Sequence, residues 1–398
     1  NFSTDGGTIK LDGNYPTGSN NVALGDGALD DGSLSGASNT AIGANSLTAN
    51  TSGTLNVAIG HNALASNTTG QQNTAIGRVA LQTNIAGICN TAIGHNALTT
   101  NICCFNTAVG NEALRLNTTG ENNTAVGTSA LAANTTGEKN TAVGKGSMTR
   151  NTTGKCNTGV GVDSFLFNTT GCQNTGVGNS SLAFNTTGDN NVAMGWKALN
   201  ANTTADNNTA VGTSALIANT TGASNTTVGA YSLCDNTTGA SNTGLGYSSL
   251  DSNTEGDNNV AVGADALNKN TTADNNTAVG MSALKLNTTG SGNTAVGITS
   301  LICNTTGVDN VAVGRCALYC NTTASGNTAL GGSSMIVNTT GCQNTAVGQQ
   351  SLKNNTTGDN NTALGFYALC TNSTADNNTA VGFCSLKTNS TGANNTAV

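Results

Sequence analysis

Residues 123–139 read NTAVGTSALAANTTGEK, and this stretch decides the fold because the chain repeats it with small changes. Copies begin at Asn21, Asn39, Asn56, Asn73 and Asn90, and from Asn106 to Asn395 each begins 17 residues after the last. The consensus is N-[TV]-A-[VIL]-G-x-x-[AS]-L-x-x-N-T-T-G-x-x, whose residues are numbered here as positions 1 to 17. Self-similarity at a fixed short period is the signature of stacked repeats, so the sequence predicts a solenoid.

Two positions of the repeat are consistently apolar. Position 4 is aliphatic in every copy and position 9 is nearly always Leu, which predicts two apolar columns lining a narrow interior. The small residues at positions 3 and 8 predict close approach by another layer of backbone or by another subunit. Gly at position 5 predicts a bend that needs positive φ or lacks room for a Cβ. The predicted column residues are Val109, Val126, Val143 and Val211 at position 4, and Leu114, Leu131 and Leu216 at position 9.

Asparagine recurs at positions 1 and 12, as Asn123 and Asn140 at the first and Asn117 and Asn134 at the twelfth. In stacked coils such side chains form ladders whose amides hydrogen-bond along the axis. The Asn-Thr-Thr-Gly segment after position 11 has the composition of a turn. The asparagines are therefore predicted to tie each coil to the next.

These features predict an all-β fold, a β-solenoid (β-roll or β-helix) of about 22 coils over residues 21–398, after a lead-in, cap or plug at residues 1–20. The first segment of each coil is expected to be a strand with positions 2 and 4 facing inward. The second segment could be another strand or a single helical turn, and we favour two strands per coil. At about 4.8 Å per coil, the repeat predicts a rod on the order of 105 Å long.

The composition argues against several functional classes. The net charge is −7, only 8% of residues are charged, and no Lys/Arg cluster or long apolar run occurs, so neither nucleic acid nor membrane is an expected partner. The two histidines, His61 and His95, both occupy position 6 without a fixed nucleophile or carboxylate. Phosphate-binding and calcium-binding loop motifs are absent from the sequence. We therefore expect no enzyme activity, no catalytic residue, no metal and no cofactor.

Cysteines and sequons allow covalent additions. Cys303 and Cys320 both hold position 11 of consecutive coils, where an in-register ladder would bring their Cα atoms within disulfide range, so an inter-coil disulfide is predicted. Asn-x-Thr/Ser sequons recur at position 12, and glycosylation there depends on a eukaryotic secretory origin. The candidate glycosylation sites are Asn117, Asn134, Asn151 and Asn389.

Aromatic residues avoid the predicted columns. Trp196, Tyr247, Phe366 and Phe383 all occupy position 6, which predicts a lateral aromatic strip on the surface. Such a strip could contact glycans or a neighbouring rod, although scattered surface apolar residues are the commoner explanation.

The motif N-T-A-V-G-x-x-A-L-x-x-N-T-T-G resembles repeats in the tail fibres of bacteriophages and other viruses and in some bacterial surface proteins. Its first half is similar, more distantly, to the head repeats of trimeric autotransporter adhesins, which implies left-handed β-rolls that associate in threes through small residues. The period of that family is shorter than 17 residues. The resemblance covers positions 21 to 398.

Together these features predict a structural, non-catalytic extracellular fibre or appendage protein at a virion or cell surface. The expected partner is the chain itself, as a homotrimer or a head-to-tail filament, because the sequence stops at position 4 of a repeat without a polar cap. The alternative is an adhesin that binds a cell-surface glycan or receptor through the aromatic strip. An ice-binding rod with threonine ladders at positions 2, 13 and 14 is a third, less favoured interpretation.

Overall fold

The computed structural model describes residues 18–398, and most of the lead-in predicted for residues 1–20 lies outside them. The described chain is a parallel β-solenoid of about 22 coils with a repeat of roughly 17 residues, and it contains no helix. It divides into two compact units, the first ending at Lys197 and including Asn202–Thr204, the second comprising Ala198–Ala201 and Ala205–Val398. The predicted fold class is thereby confirmed.

Each coil contributes one short strand. The strands of the first unit are β1 (Val22–Leu24), β2 (Thr40–Ile42), β3 (Val57–Ile59), β4 (Thr74–Ile76), β5 (Thr91–Ile93), β6 (Thr107–Val109), β7 (Thr124–Val126), β8 (Thr141–Val143), β9 (Thr158–Val160), β10 (Thr175–Val177) and β11 (Val192–Met194). Those of the second unit are β12 (Thr209–Val211), β13 (Thr226–Val228), β14 (Thr243–Leu245), β15 (Val260–Val262), β16 (Thr277–Val279), β17 (Thr294–Val296), β18 (Val311–Val313), β19 (Thr328–Leu330), β20 (Thr345–Val347), β21 (Thr362–Leu364), β22 (Thr379–Val381) and β23 (Thr396–Ala397).

Within each unit, every strand pairs in parallel with the strand of the next coil, and equivalent repeat positions lie side by side. Thr124 pairs with Thr141, and Ala125 pairs with Ala142. The coil at residues 90–105 is one residue short, yet Ala92 still pairs with Ala108. The length difference is therefore absorbed outside the strand.

The second segment of the coil is neither a second strand nor a helical turn, so the prediction of two strands per coil was wrong. It is a series of turns in which positions 7 and 9 have positive φ, 57° at Ser129 and 51° at Leu131. The Ser129 amide donates backward to the Asn111 carbonyl at 2.9 Å, whereas the Leu131 amide donates forward to the Ser147 carbonyl at 3.0 Å. The left-handed residues thus allow one segment to bond to both neighbouring coils.

Glycine at position 5 is required by the bend that follows the strand. Gly127 has φ 136°, and a Cβ added there would lie 2.5 Å from the carbonyl oxygen of Gly144 in the next coil. Both the backbone conformation and the close approach exclude other residues. The bend predicted at this position is present.

The strand faces the opposite way from the prediction. Ala125 is fully buried, whereas Val126 is 37% exposed on the outer surface. Because successive strand residues point to opposite faces, the buried Asn123 and Ala125 place Thr124 and Val126 outside. The predicted core column at position 4 was therefore wrong: Val126 and Val143 are exposed, and Val109 and Val211 are partly exposed.

Position 9 forms the apolar core. Leu114, Leu131 and Leu216 are fully buried, and the small residues of position 3 pack against this column. A Cβ added at Gly176, for example, would lie 2.4 Å from Cε2 of Phe165, which replaces Leu at position 9 of the preceding coil. Small residues at positions 3 and 8 thus make room for core side chains. They are buried within the chain and form no surface for another subunit.

Candidate functional site

In each unit, the outer face of the parallel sheet is a uniform surface built from the same two repeat positions. We use "outer face" for the side chains of positions 2 and 4, which are Thr or Val and aliphatic or Met, respectively, in every described coil. Its position 4 residues are Leu24, Ile42, Ile59, Ile76, Ile93, Val109, Val126, Val143, Val160, Val177 and Met194 in the first unit. In the second unit they are Val211, Val228, Leu245, Val262, Val279, Val296, Val313, Leu330, Val347, Leu364 and Val381, followed by Val398 directly after β23.

The outer face exposes much apolar surface. Val126 is 37% exposed, Met194 44% and Val228 46%. If each position 4 residue exposes about 55 Å², the eleven in one unit present about 600 Å² of apolar surface, before the threonine methyl groups are added. The largest apolar patch of a soluble monomer is typically about 300–600 Å² and is often functional, so this face is a candidate interaction site.

The asparagine ladders are present and buried. At position 12, Asn134 Nδ2 donates to Asn117 Oδ1 at 2.7 Å and to the Gly137 carbonyl at 3.0 Å. At position 1, the Asn140 backbone amide donates to Asn123 Oδ1 at 2.9 Å. Each of these asparagines is fully buried, so the ladders lie inside the solenoid, where they satisfy backbone groups that water cannot reach.

This burial excludes glycosylation at the predicted sites of the inner coils. Asn117, Asn134 and Asn151 are fully buried, and the side-chain amide of each donates two hydrogen bonds. An attached glycan is bulky and needs a surface amide, so the prediction was wrong for these three residues. Asn389, in the last coil, is partly exposed, and its amide also donates two hydrogen bonds.

Position 16 has a structural role that the sequence did not reveal. Where this position is Asp or Ser, its side chain can accept a hydrogen bond from the position 16 amide of the preceding coil, as Asp274 does from Asp257 at 2.7 Å and Asp376 does from Asp359 at 2.8 Å. Ser291 accepts the equivalent bond from Asp274 at 3.0 Å. Stacked aspartates are tolerated because each carboxylate satisfies a backbone donor. The recurrence of short hydrogen-bonding residues at position 16 was the available signal.

The predicted disulfide is not formed in the structure. Cys303 and Cys320 are both free, partly buried thiols in consecutive coils, and the Cys303 amide donates to the Tyr319 carbonyl at 3.2 Å. Burial raises the pKa of both thiols above the usual value, and that of Cys303 is raised further by Cys320. The backbone hydrogen bond to the carbonyl that precedes Cys320 places the two residues beside each other in consecutive coils.

The position 6 aromatics do not form one continuous strip. Phe366 and Phe383, in adjacent coils, stack with ring centroids 5.8 Å apart, and Phe366 also contacts Tyr367 at 4.2 Å. Tyr247 instead contacts Tyr231 at 6.0 Å, seven coils before Phe366 in the same unit. Trp196 lies in the first unit against Lys197. The predicted strip is thus a set of separate local clusters.

His95 and Cys103, both in the short coil at residues 90–105, make three further side-chain contacts. His95 is exposed, within 3.2 Å of Arg78 Nη1 and of Asn111 Oδ1, which is a polar surface contact rather than a pairing of base and nucleophile. Cys103 donates to Glu121 Oε1 at 2.8 Å. Burial, together with this hydrogen bond, raises the pKa of the Cys103 thiol to about 11.

The chain matches no protein-family model and no curated protein. The resemblance to fibre and adhesin repeats therefore rests on the repeat motif itself. Among residues 18–398 there is no helix with the length and hydrophobicity needed to span a bilayer.

Proposed function

We propose that this protein is a non-catalytic structural component of an extracellular fibre or appendage, and that copies of the chain associate side by side through the outer face. The observation that carries the proposal is the aliphatic column at position 4, which lies on the surface in every described coil. A solenoid that only needed to fold could carry polar residues there, as antiparallel and edge sheets do on their solvated faces.

The chemistry of the outer face favours a second copy as its partner. Positions 2 and 4 carry no charged residue in any described coil, so two copies meet without like-charge repulsion. The face also repeats at the spacing of parallel strands, about 4.8 Å. A surface with the same spacing and the same Thr and Val rows fits the face of one unit along that unit, and another copy of this chain has that surface.

The area is sufficient for a stable interface. The position 4 residues of one unit offer about 600 Å², and the position 2 residues beside them bring the face close to the 800 Å² per partner of a standard interface. Interface cores are depleted in charged residues, as this face is. Two or three copies can associate in this way. The mass measured by sedimentation equilibrium distinguishes a homotrimer from a lateral filament.

The test places charge on the outer face. In Val126→Glu/Val160→Glu, both substitutions lie on exposed position 4 residues, so the coil should fold but the interface would contain buried, unpaired carboxylates. The matched control is Thr128→Glu/Val162→Glu, which changes exposed position 6 residues of the same two coils. Sedimentation equilibrium should show assembled wild type and control, and a monomeric outer-face variant with unchanged circular dichroism. A monomeric wild type, or equal dissociation of both variants, would refute the proposal.

An ice-binding function is the second candidate, because the outer face also carries threonines in register, as at Thr124 and Thr141. The other predicted threonine ladder is less suitable, since Thr118 Oγ1 at position 13 already donates to the Thr135 carbonyl at 3.0 Å. Thermal hysteresis of the wild type that disappears in Thr124→Tyr/Thr141→Tyr would support this function. Absence of hysteresis in the wild type would remove it.

An adhesin function through aromatic residues has less support, because their clusters are separate. The largest cluster, Phe366, Tyr367 and Phe383, carries Lys387 over the Tyr367 ring at 4.9 Å. A glycan array compared between wild type and Phe383→Ser tests this alternative directly.

A further inference from the structure

The short coil at residues 90–105 contains an unusual turn. Where most other coils continue with Thr-Thr-Gly after the position 12 asparagine, Asn101 is followed by Ile102, Cys103 and Cys104. The Cys103 carbonyl accepts hydrogen bonds from Asn90 Nδ2 and Asn101 Nδ2, both at 2.8 Å, as the position 15 glycine carbonyl does elsewhere. Cys103 therefore takes position 15 and Cys104 position 16, and the ladder continues although the turn is one residue shorter.

The shortened turn brings three metal-binding atoms together. The Sγ atoms of Cys103 and Cys104 and a carboxylate oxygen of Glu121, at position 16 of the next coil, all lie within 4.8 Å of one another. All three residues are partly buried. Among residues 18–398 this is the one cluster of three or more His, Cys, Asp or Glu side chains with such spacing.

We propose that Cys103, Cys104 and Glu121 bind a single zinc-class divalent cation and that water completes its coordination. With Zn–S bonds of about 2.3 Å and Zn–O bonds of about 2.0 Å, tetrahedral geometry separates the two sulfurs by about 3.8 Å and sulfur from oxygen by about 3.5 Å. The Cys103 sulfur and the Glu121 oxygen lie 2.8 Å apart and would have to separate, and the other pairs lie within 4.8 Å, so small side-chain movements would reach this geometry. Two thiolates and one carboxylate suit zinc better than the hard cations calcium and magnesium.

Two contacts of the cluster suit a bound cation. The Ile88 amide donates to Cys104 Sγ at 3.3 Å, and a hydrogen bond of this kind stabilises a coordinating sulfur and fixes its direction. Cys103 already donates its proton to Glu121, so the cation would replace that proton between the same two atoms. Binding one divalent cation releases two protons, one from each thiol, while Glu121 contributes its carboxylate. The cation would then join the shortened turn of one coil to the next coil.

The experiment uses the full chain, reduced and stripped of metal by a chelator. Calorimetric titration with Zn²⁺ should show one site per chain, and Co²⁺ should give the thiolate charge-transfer absorption of a tetrahedral site. Both signals should be lost in Cys103→Ser/Cys104→Ser. Glu121→Gln should weaken Zn²⁺ binding at least about tenfold, since even changes outside the ligand set cost that much.

The controls separate metal binding from folding and from the other thiols. Ser at position 16 accepts the same amide hydrogen bond, as Ser291 does, so Cys104→Ser preserves the backbone contact. The control Cys172→Ser/Cys342→Ser removes two position 16 thiols and should bind Zn²⁺ like the wild type. If the double serine variant fails to fold, the wild type provides the test. Bound Zn²⁺ should then protect Cys103 and Cys104 from an alkylating reagent. No saturable binding, or binding and protection that do not involve these thiols, would overturn the proposal.

Discussion

Leu131→Ala tests the position of the core. Leu131 is fully buried at position 9, and its amide donates to the Ser147 carbonyl of the next coil. Replacing a buried Leu by Ala removes its transfer free energy and leaves a cavity, which together cost about 2–5 kcal/mol. The column is one side chain wide in each coil, so few neighbours can move to fill the cavity. We therefore expect a free energy of unfolding lower by about 3 kcal/mol.

Val126→Ala is the matched control in the same coil. Val126 is already 37% exposed, so removing its methyl groups loses little burial and should cost less than about 1 kcal/mol. The sequence-based prediction placed both residues in the core, so it requires large and similar losses of unfolding free energy in the two variants. The two interpretations therefore differ by about 2 kcal/mol in one pair of variants.

Urea unfolding followed by circular dichroism measures both variants, at a protein concentration where each is monomeric. With an m-value of about 3 kcal/mol/M, a loss of 3 kcal/mol moves the midpoint down by about 1 M. Because stacked coils contribute through their neighbours, the loss should appear in the transition that includes residues 123–139. Equal destabilisation by Val126→Ala, or none by Leu131→Ala, would refute the assignment of inner and outer positions.

Four other changes have defined outcomes. Asn134→Ala should cost about 2–4 kcal/mol in urea unfolding, because it leaves buried amide groups of both neighbouring coils without partners; a loss below 1 kcal/mol would contradict the role of the ladder. Gly127→Ala should abolish folding of its coil, seen as rapid local hydrogen exchange, since φ is 136° and the Cβ would contact the next backbone. Burial, and then the charge of Asp235, raises the pKa of Asp251 in the folded chain. The free energy of unfolding should therefore be highest below the unfolded-state pKa of 3.8 and should decrease as the pH rises through the higher folded-state pKa. We expect Asp251→Asn to be slightly more stable than the wild type at pH 7 and equally stable at pH 3. Mild oxidation should link Cys303 to Cys320, and peptide mapping that finds both still free would contradict their proximity.

The sequence predicted the asparagine ladders more accurately than the apolar core, although it did not predict that the ladders are buried. Asparagines at positions 1 and 12 have one role in a stacked coil, because a buried amide must pair with the amide above or below it. That requirement is independent of the exact path of the chain. The ladders at Asn123 and Asn134 could therefore be predicted from period and residue type alone.

The sequence could not predict in this way which face of the strand points inward. A three-residue strand has too few residues for an alternating pattern to distinguish its faces, and an aliphatic residue that recurs in every repeat is normally taken as core. In each coil the middle residue, such as Ala125, faces inward, so the larger Val126 lies outside. The glycosylation prediction failed for a related reason: the sequon at Asn134 is turn chemistry in a buried ladder.

The sequence by itself determined the period, the parallel stacking of coils, the bend at Gly127, the asparagine ladders and the leucine column, because each follows from repetition at a fixed spacing. Only the tertiary structure decided which strand face is inside, how the left-handed residues at positions 7 and 9 direct their amides to both neighbouring coils, and how Cys103, Cys104 and Glu121 meet. The physical reason is that these features depend on where one coil lies against the next. A repeat pattern gives the spacing between equivalent residues, but the path of the backbone within each coil gives the direction of every side chain.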